Sequence, residues 1–164
     1  MSISKNDIIQ LLNASNIEYS LFDHKPIYTV ADGAELHLSH ADVIAKTLFL
    51  CDDKREKYYL ISLLKDKQLN LKELREAIKS RRLSFASESD LNNILGISAG
   101  AVTPLGILND DKKIVEIIFD KSFMNGLIGI PLNENTSTVF LKANDLFQLI
   151  NRHGNKVQWI ELKG

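Results

Sequence analysis

Lys46 is out of keeping with its neighbours. It interrupts the apolar run VIAKTLFL, residues 43–50. An ammonium in such a run is costly unless it is paired, faces a cleft or turns to solvent on a half-exposed strand. Periodicity alone leaves the solvent-facing and cleft-facing readings both open. The stretch GISAGAVTPLGILND, residues 96–110, raises a second question. It gathers Gly96, Gly100, Pro104 and Gly106 in a chain with only 8 glycines and 3 prolines. Glycine permits close backbone approach, and proline stiffens a loop exit. The N–H groups of Gly100, Ala101 and Val102 can then hold an oxyanion or a carbonyl oxygen. An ordinary buried turn is the other reading.

Other chemistries lack their residues. His37 and His40 lie three apart, but no third histidine or carboxylate stands at ligand spacing, so a surface pair is expected and no metal. No G-x-S-x-G and no G-x-x-x-x-G-K-[ST] occurs. Cys51 is the lone cysteine, which excludes an internal disulfide and fits a reducing, cytoplasmic location. Its neighbours Asp52 and Asp53 would raise its pKa and argue against a nucleophilic role. The net charge of −1 advertises no global basic field, although Lys54 to Arg82 carries half of the Lys and Arg. That stretch is either a local phosphate-binding patch or two solvated faces. The N-terminal residues form an amphipathic helix rather than a signal peptide, and no apolar run approaches membrane-spanning length.

The elements that must position these residues are legible in outline. Ser4 and Asp7 make a capping box for a helix over residues 4–14, with Ile8, Leu11 and Leu12 as its apolar stripe. IEYSLF alternates as a strand. HKPIYTV turns into a short helix begun by Thr29 and Asp32. VIAKTLFLCD and KYYLISLL are strands joined by the charged turn DDKREK, hence antiparallel. Asn70 caps a helix with Glu73 at the capping-box position. A short strand and a helix ending at Gly96 follow. KIVEIIFD is a strand, FMNGLIGIPLNENTSTVFL two strands around a turn, ANDLFQLINRHG a helix stopped at Gly154, and KVQWIEL a last strand. No repeat, linker or domain boundary interrupts this order. The class is α+β, a single domain over 1–164 with a mixed sheet packed by helices.

The ordered motifs carry a resemblance. They are H-x-P-x-x-T-V (His24, Pro26, Thr29, Val30), AKTLFL, RLSFAS, G-x-x-x-P (Gly100 to Pro104), NENTSTV and DLFQLINRHG. In this order they resemble the YbaK/prolyl-tRNA synthetase-associated editing domain family, and most closely its free-standing prolyl-tRNA-editing branch. That resemblance implies a mixed, mostly antiparallel sheet partly rolled into a barrel and flanked by helices. It implies an aminoacyl-tRNA deacylase that clears alanine, or another small amino acid, from proline tRNA, without metal or other cofactor. The family's strand lysine matches Lys46, and its loop matches Gly100, Ala101, Val102, Thr103 and Pro104. Two departures stand out. Many relatives have Lys-Asn where this chain has Lys46-Thr47, and many have His-Pro where it has Pro131-Leu132.

The expected site follows from that match. Lys46 holds a terminal phosphate or fixes the substrate end, and the loop N–H groups meet the oxyanion. His24, Thr47, Thr103 and Pro104 complete the substrate site, with Ile44, Phe49, Phe85 and Val102 as apolar walls. Lys65, Lys67, Arg81 and Arg82 meet the acceptor stem. The expected partners are aminoacylated tRNA and, transiently, prolyl-tRNA synthetase, with no membrane. Because Pro131 replaces a histidine, a non-catalytic module that binds aminoacyl-tRNA or a free amino acid on the same fold is the alternative.

Overall fold

Local signals set the helix ends. A computed structural model describes residues 3–23, 41–133 and 136–163. Ser4 Oγ accepts from the Asp7 N–H at 3.1 Å, and the Asp7 carboxylate accepts from the Ser4 N–H at 3.0 Å. This closed capping box starts α1 (Lys5–Ala14), which buries Ile8 and Leu12. At α2 (Leu71–Ile78) only half of the box forms: the Asn70 side chain accepts from the Glu73 N–H, while the Glu73 carboxylate accepts from the Lys163 N–H at 2.8 Å. α3 (Ala143–His153) ends at Gly154, whose φ of +107° suits a residue without Cβ. The helix expected after Thr29 lies outside the described residues.

Among the described residues eight strands form two sheets: β1 (Tyr19–Asp23), β2 (Ala45–Asp52), β3 (Tyr58–Leu64), β4 (Leu83–Phe85), β5 (Val115–Asp120), β6 (Leu127–Pro131), β7 (Ser137–Lys142) and β8 (Val157–Ile160). One sheet has the order β1-β7-β6 and the other β4-β2-β3-β5-β8. The DDKREK turn does make an antiparallel hairpin of β2 and β3, with Cys51 opposite Tyr58. β5 lies parallel to both β3 and β8, because long crossovers separate them in sequence.

Side chains alternate across the five-stranded sheet. Phe49, Cys51, Tyr58, Leu60, Ile117 and Phe119 share a core with the three-stranded sheet, α1 and α3. Leu50, Tyr59, Ile61 and Ile118 pack on the other face with Leu74 of α2. Burial on both faces explains why β2, β3 and β5 read as continuous apolar runs.

The sheet is mixed and mostly antiparallel, as expected, but it does not close into a barrel. Among the described residues the two sheets meet at one isolated parallel bridge, Ile44 to Gly129. Two residues further on, Pro131 has no N–H to extend that pairing. Gly129 itself tolerates no side chain: an added Cβ would lie 2.6 Å from Cε1 of the buried Phe140 ring. Gly129→Ala is therefore expected to cost about 1–3 kcal/mol by overpacking. Thermal unfolding measures this, and an unchanged Tm would contradict it. No described helix is long and apolar enough to cross a membrane.

Candidate functional site

The bridge and the short β4 leave a break along β2. Even-numbered residues of β2 use their backbone toward β3: the Lys65 N–H donates to Ile44 O at 3.2 Å, and the Asp52 N–H to Lys57 O at 3.0 Å. Odd-numbered residues point the other way, where Phe49 O accepts from the Ala86 N–H at 2.9 Å. On that side β4 pairs with β2 only from Leu50 to Asp52, and β6 reaches it only at Ile44. Between them the Thr47 N–H and C=O point into the gap left by β4 and β6. Thr47 is buried, so a ligand that reaches its main chain is shielded from solvent. Its hydroxyl is already bonded to the Ser62 hydroxyl at 2.7 Å, so its main chain is what the break offers. Continued past the bridge, the parallel register sets Pro131 level with Lys46.

Lys46 lies opposite Leu63, and Lys65 extends the ladder opposite Ile44. The two lysines thus share a face as diagonal neighbours, with Cα atoms about 7–8 Å apart. Both are half-buried, and neither side chain makes an ion pair or hydrogen bond among the described residues. Two lysines on one face without a side-chain partner among the described residues raise the local potential for an anion such as a phosphate.

The glycine-rich stretch divides into two parts. Gly96, at φ +64°, ends the helical segment Leu91–Leu95. From Thr103 onward the stretch is a buried turn: Pro104 opens Pro104–Asn109, the Thr103 hydroxyl caps it, and the Gly106 N–H donates to Thr103 O at 3.0 Å. A Cβ on Gly106 would lie 3.0 Å from Ile97 Cδ1, so close packing explains that glycine. The tighter turn Ala99–Ala101 is the part that can meet a ligand. Ala101 is buried and its N–H is committed to Ser98 O at 3.0 Å, whereas the half-buried Gly100 has an N–H with no partner among the described residues. Val102 packs on the core face of Phe49, the face opposite to that of Lys46. Lys46 and the loop therefore approach β2 from its two sides.

The remaining expected residues divide. Ile44 makes the bridge at one end of the break. Phe49 is no wall: its buried ring stacks on Tyr58 at 5.5 Å. Phe85 is no wall either, because its side chain stands in solvent at 61% exposure. Lys67 is bound 2.7 Å from the buried Asp120 carboxylate. Arg81 grips Asp53 with two bonds, of 2.6 and 3.0 Å, which hold that carboxyl below its ordinary pKa. Arg82 is exposed and unpaired among the described residues. His24, His37 and His40 lie outside the described residues, and no group of three or more metal-binding side chains occurs among those described. One residue was missed individually. Asn133, two beyond Pro131, has both side-chain amide atoms buried without a partner. Its only sequence signal is membership of NENTSTV.

Comparison with known proteins fits this arrangement. The family model described as "Aminoacyl-tRNA editing domain" matches residues 24–149. The chain belongs to the aminoacyl-tRNA editing domain family. The matched span contains Lys46, the Gly100–Pro104 loop, Pro131 and Asn133, so the break falls within the editing domain. The prolyl-tRNA editing protein ProX of Acetoanaerobium sticklandii is 38% identical over 160 residues, covering 97% of this chain and 98% of that protein. The mouse prolyl-tRNA synthetase associated domain-containing protein 1 is 31% identical over 123 residues, covering 73% and 72%. A solved structure of a candidate trans-editing enzyme for prolyl tRNA synthetase superposes with a TM-score of 0.75 at 15% identity, covering 100% of this chain and 99% of that one. At that identity the superposition speaks for the fold alone.

Proposed function

We propose that this editing-domain protein acts as one domain to hydrolyse, in trans, the ester joining a small amino acid, alanine foremost, to proline tRNA. The observation that carries the reading is the break in strand pairing along β2 at Thr47, beside two lysines whose side chains have no partner among the described residues. The likeness to ProX, a prolyl-tRNA editing protein by name, supports the choice of tRNA. In this reading the aminoacyl ester enters the break. The Thr47 C=O accepts from the substrate ammonium. The Thr47 and Gly100 N–H groups face the oxygen that gains charge as water adds to the carbonyl carbon. The ester C–O bond then breaks, and the ribose oxygen leaves with a proton from solvent. Lys46 and Lys65 hold the adjoining phosphate, and Arg81 and Arg82 meet the acceptor stem. An aminoacyl ester is already reactive, so placement and oxyanion donors suffice without a protein nucleophile.

The acyl group is chosen by size. A methylene is worth only about 1–3 kcal/mol in a pocket, so a synthetase site built for proline admits alanine. A second, narrower site that overlaps with proline and accepts alanine removes the error. Transient contact with prolyl-tRNA synthetase would deliver the mischarged tRNA.

Deacylation of proline tRNA charged with alanine, proline, serine or cysteine tests this. Selective loss of alanine is the expected result, and its kcat/KM should fall as salt rises, since phosphate contacts release counterions. Cleavage of another small residue would change the acyl group and keep the deacylase. Pro131, level with Lys46 at the position where the family resemblance implies a histidine, offers no side-chain donor or acceptor and favours the binding module as a second reading. That reading predicts salt-sensitive tRNA binding with no turnover.

A further inference from the structure

Phe85 is the last residue of β4 and, at 61%, the most exposed large apolar side chain described. A single exposed phenylalanine is common on protein surfaces. This one is set apart by its neighbours. Its register partner is Leu50, so its ring belongs to the sheet face that carries Lys46 and Leu48. Because β4 runs antiparallel to β2, Phe85 ends β4 on the side nearest the break at Thr47. The four residues from Lys46 to Leu50 span about 13 Å, and the lysine stem shortens the gap.

A cationic track beside an exposed aromatic face is how proteins hold single-stranded nucleic acid. The cations follow the phosphates, and the ring stacks on a base of any sequence. The charges here order the two. Among the described residues Lys46 and Lys65 have no counter-charge, whereas Glu88 and Asp90 follow β4 and disfavour a phosphate beside Phe85. A neutral base is indifferent to those carboxylates. Tyr59 shares the face but is buried beneath it, which leaves Phe85 as the ring available on this face among the described residues.

We propose that Phe85 stacks on the terminal adenine of the aminoacylated acceptor end, while Lys46 and Lys65 take the phosphate on its 5′ side. This rests on the deacylase reading above. Phe85 is then a positioning residue: it places the ester in the break and takes no part in bond making.

The test uses proline tRNA carrying amide-linked alanine, with 2-aminopurine in place of the terminal adenine. Wild type and Phe85→Trp should quench its fluorescence on binding. Phe85→Leu, which keeps apolar bulk on the strand, should bind without that quenching. In steady-state deacylation of alanyl-tRNA, Phe85→Leu should raise KM about tenfold with a smaller effect on kcat, and Phe85→Trp should restore it. Tm of the variants controls for folding. Equal quenching by Phe85→Leu, or unchanged KM in an active enzyme, overturns the stacking role and leaves the deacylase reading intact. A wild type that deacylates no aminoacyl-tRNA and binds none removes both.

Discussion

Lys46→Met is expected to lower kcat/KM for aminoacyl-tRNA deacylation about a hundredfold or more while leaving thermal stability equal or slightly higher. The two halves of this result have one cause. Lys46 is half-buried and unpaired among the described residues, with Lys65 as its diagonal neighbour. Its ammonium has lost part of its hydration and gained no carboxylate, so in the free protein it is a cost. Methionine keeps the length of the stem and removes the charge. If substrate phosphate is what offsets that cost, the penalty of the substitution appears only with substrate. Lys46→Arg, which keeps the charge, should recover part of the activity. Stopped deacylation assays beside unfolding curves give both quantities. A Lys46→Met enzyme within twofold of wild type would remove Lys46 from the site. A large loss of stability would mean that the lysine serves the fold.

Much of this was legible in the sequence, because the signals concerned are local. The capping residues Ser4 and Asn70, the stop at Gly154 and the DDKREK hairpin each act through neighbours a few residues away. Lys46 announced itself because a charge in an apolar run is costly wherever the run folds. What the sequence hid depends on distant register. The break at Thr47 exists only because β4 pairs with β2 no further than Leu50 and β6 touches at Ile44, and neither limit is written near Thr47. The same holds for the barrel: Pro131 is visible as a proline, but its missing N–H matters only once β6 is known to approach β2. Phe85 shows the limit from the other side. Its alternation in SFAS is that of any strand, and only the short length of β4 and its edge position leave the ring in solvent. Lys65 and Lys67 look alike in the segment LLKDKQ, yet one is unpaired and the other is fixed by a partner 53 residues away.

That contrast makes Lys67 the counterpart of Lys46. Lys67 Nζ lies 2.7 Å from Asp120 Oδ2, with side-chain exposures of 17% and 2%. The other carboxylate oxygen accepts only a long 3.4 Å bond from the Ser122 N–H. Lys67→Met therefore leaves a buried carboxylate nearly alone, at an expected cost of about 3 kcal/mol. For a chain of this length that corresponds to a fall in Tm of about 10 °C. Asp120→Asn in the same background removes the stranded charge and should restore most of the loss, since a pair replaced on both sides is close to neutral. The double-mutant cycle isolates the coupling, because both side chains belong to one contact. Deacylation per folded molecule and its salt dependence should be unchanged, in contrast to the tRNA contact expected of Lys67 from charge alone. Wild-type stability in Lys67→Met would show that solvent already screens the pair. A weaker salt dependence of deacylation in the rescued double variant would return Lys67 to the tRNA-binding surface.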